Sequence, residues 1–197
     1  MIMAAPDGFS YTDNAIPEAT WSILKTWLDT DRLGDHDDCI PIPWELGVPN
    51  RQVAQFGFRY DYAKDCVDVT THTVPIPPRL KELLLRQDDN DDDDDDDVVM
   101  DQSFTQCIIN RYEPNVLIPW HKDDLEFGPR ISVFTFGEAR PLLLRRVDDH
   151  DVTFVATPGH CSNYTLSRSA RYDWEHMVPT GSGFRVSFTF RTHKDDV

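Results

Sequence analysis

A mainly β fold with flanking helices, built as an antiparallel sandwich or jelly roll, is what this sequence predicts, and three observations carry it. From residue 98 onward, apolar stretches of about six to nine residues alternate with turn signals: Glu113-Pro114-Asn115, Phe136-Gly137, Pro158-Gly159 and Gly181-Ser182-Gly183. The last stretch alternates residue by residue, with Phe184, Val186, Phe188 and Phe190 on one face and Arg185, Ser187, Thr189 and Arg191 on the other. At 197 residues, 40% of them hydrophobic, the chain has the length and composition to bury a full core as a single domain, without disulfide staples.

Helices belong to the first half. Ile16, Ala19, Ile23, Leu24, Trp27 and Leu28 recur at helical spacing behind Pro17-Glu18, a proline and an acid suited to a first turn. In Ile40-Pro41-Ile42-Pro43-Trp44 the prolines enforce extended chain. Residues 53–62 read as strand, and their even spacing predicts Phe56, Phe58, Tyr60 and Tyr62 on one face. Pro77-Pro78 opens a short helix carrying Leu80, Leu83 and Leu84.

That helix runs into Asp88-Asp89-Asn90 and an unbroken run from Asp91 to Asp97. Such a tract repels itself and buries nothing, so it reads as a disordered insert within one domain spanning 1–197. It holds nine of the 35 acids and more than half of the net charge of −16. The balance excludes a histone-like binder that grips nucleic acid mainly through phosphate charge. No apolar run reaches the ~20 residues of a membrane span, and the first residues lack the basic start of a secretory signal. Cys39, Cys66, Cys107 and Cys161 have no paired spacing, so reduced thiols and a cytoplasmic or nuclear location are expected, and no cysteine zinc site.

Chemistry concentrates in four places. Arg185, Ser187, Thr189 and Arg191 share a face; two guanidinium forks separated by hydroxyls suit a dicarboxylate, although a solvated sheet face carries the same pattern. Asn110 and Tyr112 share a face at the end of a second strand. His121 and Asp123 lie two apart in extended chain, so an imidazole and a carboxylate can reach one metal ion. His36-Asp37-Asp38 and His193-Lys194-Asp195 repeat that spacing in an Asp-rich loop and at the chain end, with no strand behind them to fix geometry. His176, in Trp174-Glu175-His176, supplies a third donor, and two histidines with one carboxylate make the facial triad of non-heme Fe(II) oxygenases.

The order Asn110-x-Tyr112, His121-x-Asp123, His176, Arg185-x5-Arg191 resembles the AlkB-like Fe(II)/2-oxoglutarate dioxygenases. Ile131-Ser-Val-Phe-Thr-Phe-Gly137 is similar to that family's strand ending in Ser-Phe-Gly. Ser169-Ala170-Arg171-Tyr172-Asp173-Trp174-Glu175-His176 is similar to its Arg-Tyr-x-Trp-x-His run, and Arg51-Gln-Val-Ala-Gln-Phe-Gly57-Phe-Arg-Tyr60-Asp-Tyr62 to its nucleotide lid. The resemblance covers residues 51–191, with the Asp tract interrupting it.

It implies a double-stranded β-helix with N-terminal helices and lid strands. His121, Asp123 and His176 would hold Fe(II), with no catalytic residue beyond these ligands. Arg185 and Tyr112 would hold the far carboxylate of 2-oxoglutarate, Arg191 and Asn110 would lie near its chelating end, and Ser187 stands where some members have Asn. With dioxygen as co-reactant, the reaction expected is dealkylation or hydroxylation of a modified nucleobase in DNA or RNA. Tyr60, Tyr62, Asp124, Glu126, Arg140, Arg171 and Trp174 are the candidate substrate contacts, by stacking, by charge or, for Arg140 with Arg145 and Arg146, by meeting phosphates. No membrane and no obligate protein partner is implied. Two departures stand out: Asn115 replaces a Gly-rich turn, and Gly159-His-Cys-Ser-Asn-Tyr-Thr-Leu166 is more polar than the family's strand. A protein or small-molecule hydroxylase on the same scaffold, or a non-catalytic jelly-roll interaction module, remain open on the residues alone.

Overall fold

The computed structural model describes residues 4–33, 39–46, 51–85 and 104–196; the Asp tract and His36-Asp37-Asp38 lie outside the described residues. The elements, in order, are β1 (Phe9–Thr12), α1 (Glu18–Thr30), β2 (Trp44–Leu46), β3 (Gln52–Asp61), β4 (Cys66–His72), α2 (Pro78–Leu85), β5 (Gln106–Tyr112), β6 (Ile118–His121), β7 (Phe127–Gly137), β8 (Leu142–Arg146), β9 (Thr153–Ala156), β10 (Ser162–Leu166), α3 (Arg168–Tyr172), β11 (Trp174–Val178), β12 (Arg185–His193) and a 3-10 turn, Lys194–Asp196. One sheet runs β1-β10-β7-β12-β5-β3-β2, with β4 on the outer end of β3; a smaller one runs β6-β11-β8-β9. All pairings of these strands are antiparallel. Two antiparallel sheets with few helices make the predicted jelly roll.

The alternation of β12 decides the layering. Val186, Phe188 and Phe190 are wholly buried with Phe134, Phe136, Cys107 and Ile109 beneath α1 and α2. Arg185, Ser187 and Thr189 are buried too, on the side facing the smaller sheet. The polar face is therefore interior. Burying polar groups between sheets is unfavourable unless they find partners, so this is where a site belongs.

Helix α1 follows Pro17 and ends where Asp31 turns left-handed at φ 58°, its N–H returning to Trp27 O. Its buried face is Trp21, Leu24, Trp27 and Leu28, while Ala19 is exposed: Trp21 takes the place the predicted stripe gave to Ala19, and stacks on Phe136 at 4.8 Å. Asn115 adopts φ 65°, so it does serve as the left-handed residue at its turn.

Strand β3 departs from prediction. Gln52–Gly57 pairs with β5, whereas Phe58 to Asp61 pair with β4. The change of partner falls at Gly57, φ +82°, where a Cβ would stand 1.8 Å from Thr105 O, so only glycine fits. The four aromatics consequently do not share a face. Phe56 packs on Trp27 in the core, Phe58 meets His193, and Tyr60 and Tyr62 line the cavity described next. No described helix is long and apolar enough to cross a membrane.

Candidate active site

A cavity of about 550 Å³ opens between the sheets, a size suited to small ligands. Its polar wall comes from β5 (Asn110, Tyr112), β12 (Ser187, Thr189, Arg191) and β10 (Tyr164). Its apolar floor includes Ile131, Val133 and Leu166, and its rim carries Tyr60, Tyr62, Asp65, Lys122 and Asp124.

His121, Asp123 and His176 meet here. Strand β11 places His176 opposite His121 in register on β6, and the rings lie 4.2 Å apart. His121 Nδ1 sits 2.9 Å from Pro119 O; a proton on Nδ1 donated to that carbonyl leaves Nε2 as the free lone pair. His176 Nε2 lies 3.8 Å from Asp123 Oδ2, too far for a hydrogen bond and near enough for one ion to reach both. Burial, then the neighbouring His121 ring, pushes the His176 imidazole down to about 3, so the ring is neutral and no ion pair forms across that gap. Burial opposes ionisation of Asp123, but the charge of Arg191, with that of Arg171 behind it, outweighs it and keeps the carboxyl below its ordinary range. One carboxylate and two neutral imidazoles, unpaired with each other, are a donor set suited to a divalent transition metal.

The surroundings hold this set in place. Arg191 Nη2 donates to Asp123 Oδ1, Nη1 donates to Gln106 Oε1 at 3.1 Å, and the guanidinium lies over Phe127. Arg171 donates to the main-chain carbonyls of Asp123, Asp124 and Phe127, fixing the loop that carries the carboxylate. Asn110 Oδ1 accepts from Arg51 Nε at 2.9 Å, which leaves its NH2 donors for the cavity.

Arg185 lies one layer deeper. It is 2% exposed, does not itself line the cavity, and is in electrostatic range of Tyr112 and Tyr164, which do. Its Nη1 donates to Glu138 O and Pro158 O, its Nε has no partner, and no carboxylate among the described residues lies within ion-pair distance. A buried cation with an orphaned N–H and no ion-pair partner among the described residues suits an anionic ligand at the closed end. The residues present thus fit both an iron ion and a dicarboxylate.

The substrate-side candidates divide. Tyr60, Tyr62 and Asp124 reach the rim. Tyr60 donates to Asp65 at 2.6 Å and packs edge-on to Tyr62 at 5.1 Å, while Asp124 accepts from the main chain of Val67 and Glu126. The other four sit elsewhere. Arg140 is 1% exposed and spends its donors on Glu138, Val116 O and Gly183 O, so it is closed to phosphate. Arg171 is consumed by the carbonyls just named. Trp174 packs inside the smaller sheet with Leu142, Leu144 and Val178 instead of stacking on a ligand. Glu126 pairs with Lys194 at 2.7 Å outside the cavity lining. Arg145 and Arg146 are likewise engaged, by Glu175 and Asp148. His193 is not frayed but buried at the end of β12. Sequence reasoning gave no site role to Arg51, Gln106 or Tyr164, although Gln106 shares the strand face of Asn110 and Tyr112 and Tyr164 alternates with Asn163 and Thr165 in β10.

The 2OG-Fe(II) oxygenase superfamily profile matches residues 45–191, three-quarters of the chain and every residue of this donor set.

The chain belongs to the 2OG-Fe(II) oxygenase superfamily.

Membership makes it an Fe(II)/2-oxoglutarate dioxygenase by class; members typically use Fe(II) and 2-oxoglutarate. No curated protein matches it. Among solved structures it is similar to one described as "The structure of OsALKBH1", at 16% identity and a TM-score of 0.64, over 97% of this chain and 99% of that one. That likeness concerns the fold, and it extends over nearly the whole of this oxygenase.

Proposed function

We propose that this oxygenase holds Fe(II) on His121, Asp123 and His176, binds 2-oxoglutarate between that centre and Arg185, and oxidises an alkylated or otherwise modified nucleobase in DNA or RNA. The observation that carries the reading is the convergence of two neutral imidazoles and one ionised carboxylate at the mouth of a cavity with a buried guanidinium that has no ion-pair partner among the described residues behind its closed end. When bound, the iron and cosubstrate couple decarboxylation of the keto acid by dioxygen to hydroxylation of a C–H bond; on an N-methyl group the product releases formaldehyde.

The chain's own residues aim and protect that chemistry. Tyr112, Tyr164, Ser187 and Arg185 surround the closed end, where a carboxylate finds donors and a counter-charge away from water. Asn110 and Arg191 stand nearer the metal donors and take the other end. Ile131, Val133 and Leu166 keep the floor dry. At the rim, Tyr60 and Tyr62 offer ring faces to a planar base, and the acids Asp65 and Asp124 favour a cationic, alkylated base over a neutral one. Phosphate contact falls to Lys122 at the same rim, whose exposed Nζ lies 3.3 Å from Tyr172 O, since Arg140 is buried and Arg145 and Arg146 are paired with Glu175 and Asp148.

The test is 2-oxoglutarate turnover with formaldehyde detection across oligonucleotides carrying methyladenine or methylcytosine, single- and double-stranded, in DNA and RNA, with peptides as a second panel. Release from oligonucleotides, lost in Arg185→Leu, is expected. Turnover stimulated by peptides and by no oligonucleotide would refute the nucleobase substrate.

A further inference from the structure

Glu18, His160 and Cys161 bring a carboxylate, an imidazole and a thiol within 4.8 Å of one another, away from the cavity. The imidazole is not free to bind a metal. The Gly137 N–H donates to His160 Nδ1 at 2.9 Å, which puts the ring proton on Nε2, and Nε2 meets Glu18 Oε2 at 2.9 Å. Both nitrogens are occupied in the sense opposite to what a ligating imidazole needs, where one nitrogen is bare and the other donates.

What the ring joins matters more. Ser162 pairs with Thr135 in the β10–β7 ladder, and the next step should pair residue 160 with Gly137. Cys161 is left-handed at φ 56°, which takes the main chain out of that ladder. The His160 side chain then supplies Gly137 N–H with the acceptor the backbone no longer offers. The bond fastens Pro158-Gly159-His160 to the end of β7, aided by Thr135 Oγ1 donating to Gly159 O at 2.8 Å. The two segments so joined carry the carbonyls, Pro158 O and Glu138 O, that accept from Arg185 Nη1 at 3.0 and 3.2 Å. Glu18, in the first turn of α1, and Trp21, edge-on to the ring at 5.6 Å, hold the imidazole from outside.

We propose that His160 is a positioning residue for Arg185: by locking the Pro158–His160 segment to Gly137 it fixes the two carbonyls that aim the guanidinium at the closed end of the cavity. The role rests on the reading that Arg185 receives the far carboxylate of 2-oxoglutarate. Glu18 and α1 thereby help position the cosubstrate without touching it.

The test has two readouts, one independent of turnover. In the ligand-free protein, the Arg185 Nε–H resonance, identified by its loss in Arg185→Lys, shifts in His160→Ala and returns in His160→Asn, whose amide oxygen replaces Nδ1 as acceptor. With Mn(II) in place of iron, 2-oxoglutarate binds about tenfold more weakly to His160→Ala, KM for 2-oxoglutarate rises in step, and kcat at saturation stays within about twofold. His160→Asn recovers most of the affinity. Glu18→Ala, at an exposed side chain where unfolding is not at issue, moves both readouts in the same direction by less. An unmoved resonance and unchanged binding in both His160→Ala and Glu18→Ala overturn the role. A wild-type protein that binds no 2-oxoglutarate, while the resonance still follows residue 160, overturns instead the cosubstrate reading and the affinity change drawn from it.

Discussion

Several histidines among the described residues come within 4 Å of a carboxylate, and two of those pairs, His176 with Asp123 and His160 with Glu18, are chemically opposite. At His176 and Asp123 the 3.8 Å gap holds no hydrogen bond, the ring is neutral, and the carboxylate is held from its other oxygen by Arg191. At His160 and Glu18 the 2.9 Å contact is a hydrogen bond, the other ring nitrogen is taken by Gly137, and the neighbouring thiol is held protonated, pushed up to about 11 by burial and then by the charge of Glu18. Proximity of donors does not make a metal site. What each donor's other atoms are already doing decides it.

The widest separation between the two places should appear in metal content. His176→Ala is expected to abolish stoichiometric Fe(II) binding, and His160→Ala to leave one ion per chain, both read by anaerobic titration; iron lost equally from both variants would erase the distinction. Next in size is Arg171→Met, which removes the donors that hold the Asp123 loop. Supporting residues of this kind change metal affinity by about 10–100-fold, and an unchanged affinity would show that the loop holds itself.

Acid offers a smaller effect. Ser182 and the Gly183 backbone, then Arg140, hold the Glu138 carboxyl down at about 2. A depressed carboxyl contributes stability above its unfolded value of about 4.3 that is lost as pH falls through the folded value. Melting temperatures between pH 5 and pH 2 should therefore fall more steeply in wild type than in Glu138→Gln, which starts lower and flattens. The smallest effect is Cys161→Ser: the thiol donates to Glu18 at 3.6 Å and carries no weight in the His160 bridge, so Arg185 and its ligand affinity should be unmoved.

Much of this was legible in the residue order. The alternation from Phe184 to Arg191 gave both faces of β12, and the spacing of His121 and Asp123 placed them together. Two things were hidden. Periodicity assumes one continuous pleat, and Gly57 breaks it, sending Phe56 into the core and Tyr60 and Tyr62 to the cavity. Sequence also locates an arginine's Cα but not the end of its long side chain. Arg140 and Arg171 begin beside the site and turn inward to satisfy main-chain carbonyls, while Arg51, read as part of a lid, reaches Asn110.

The grip of Arg191 on Asp123 has a consequence for ion discrimination. A guanidinium does not deprotonate in a protein, so Oδ1 stays occupied at every physiological pH. With Oδ1 turned to Arg191, Oδ2 is the oxygen placed toward His176, so Asp123 is set for one-oxygen contact with a cation rather than a bidentate clamp. Calcium, which collects six to eight oxygens and favours two-oxygen carboxylate clamps, is poorly served by such a vertex. An ion content with imidazole affinity and few ligands is the one this centre admits.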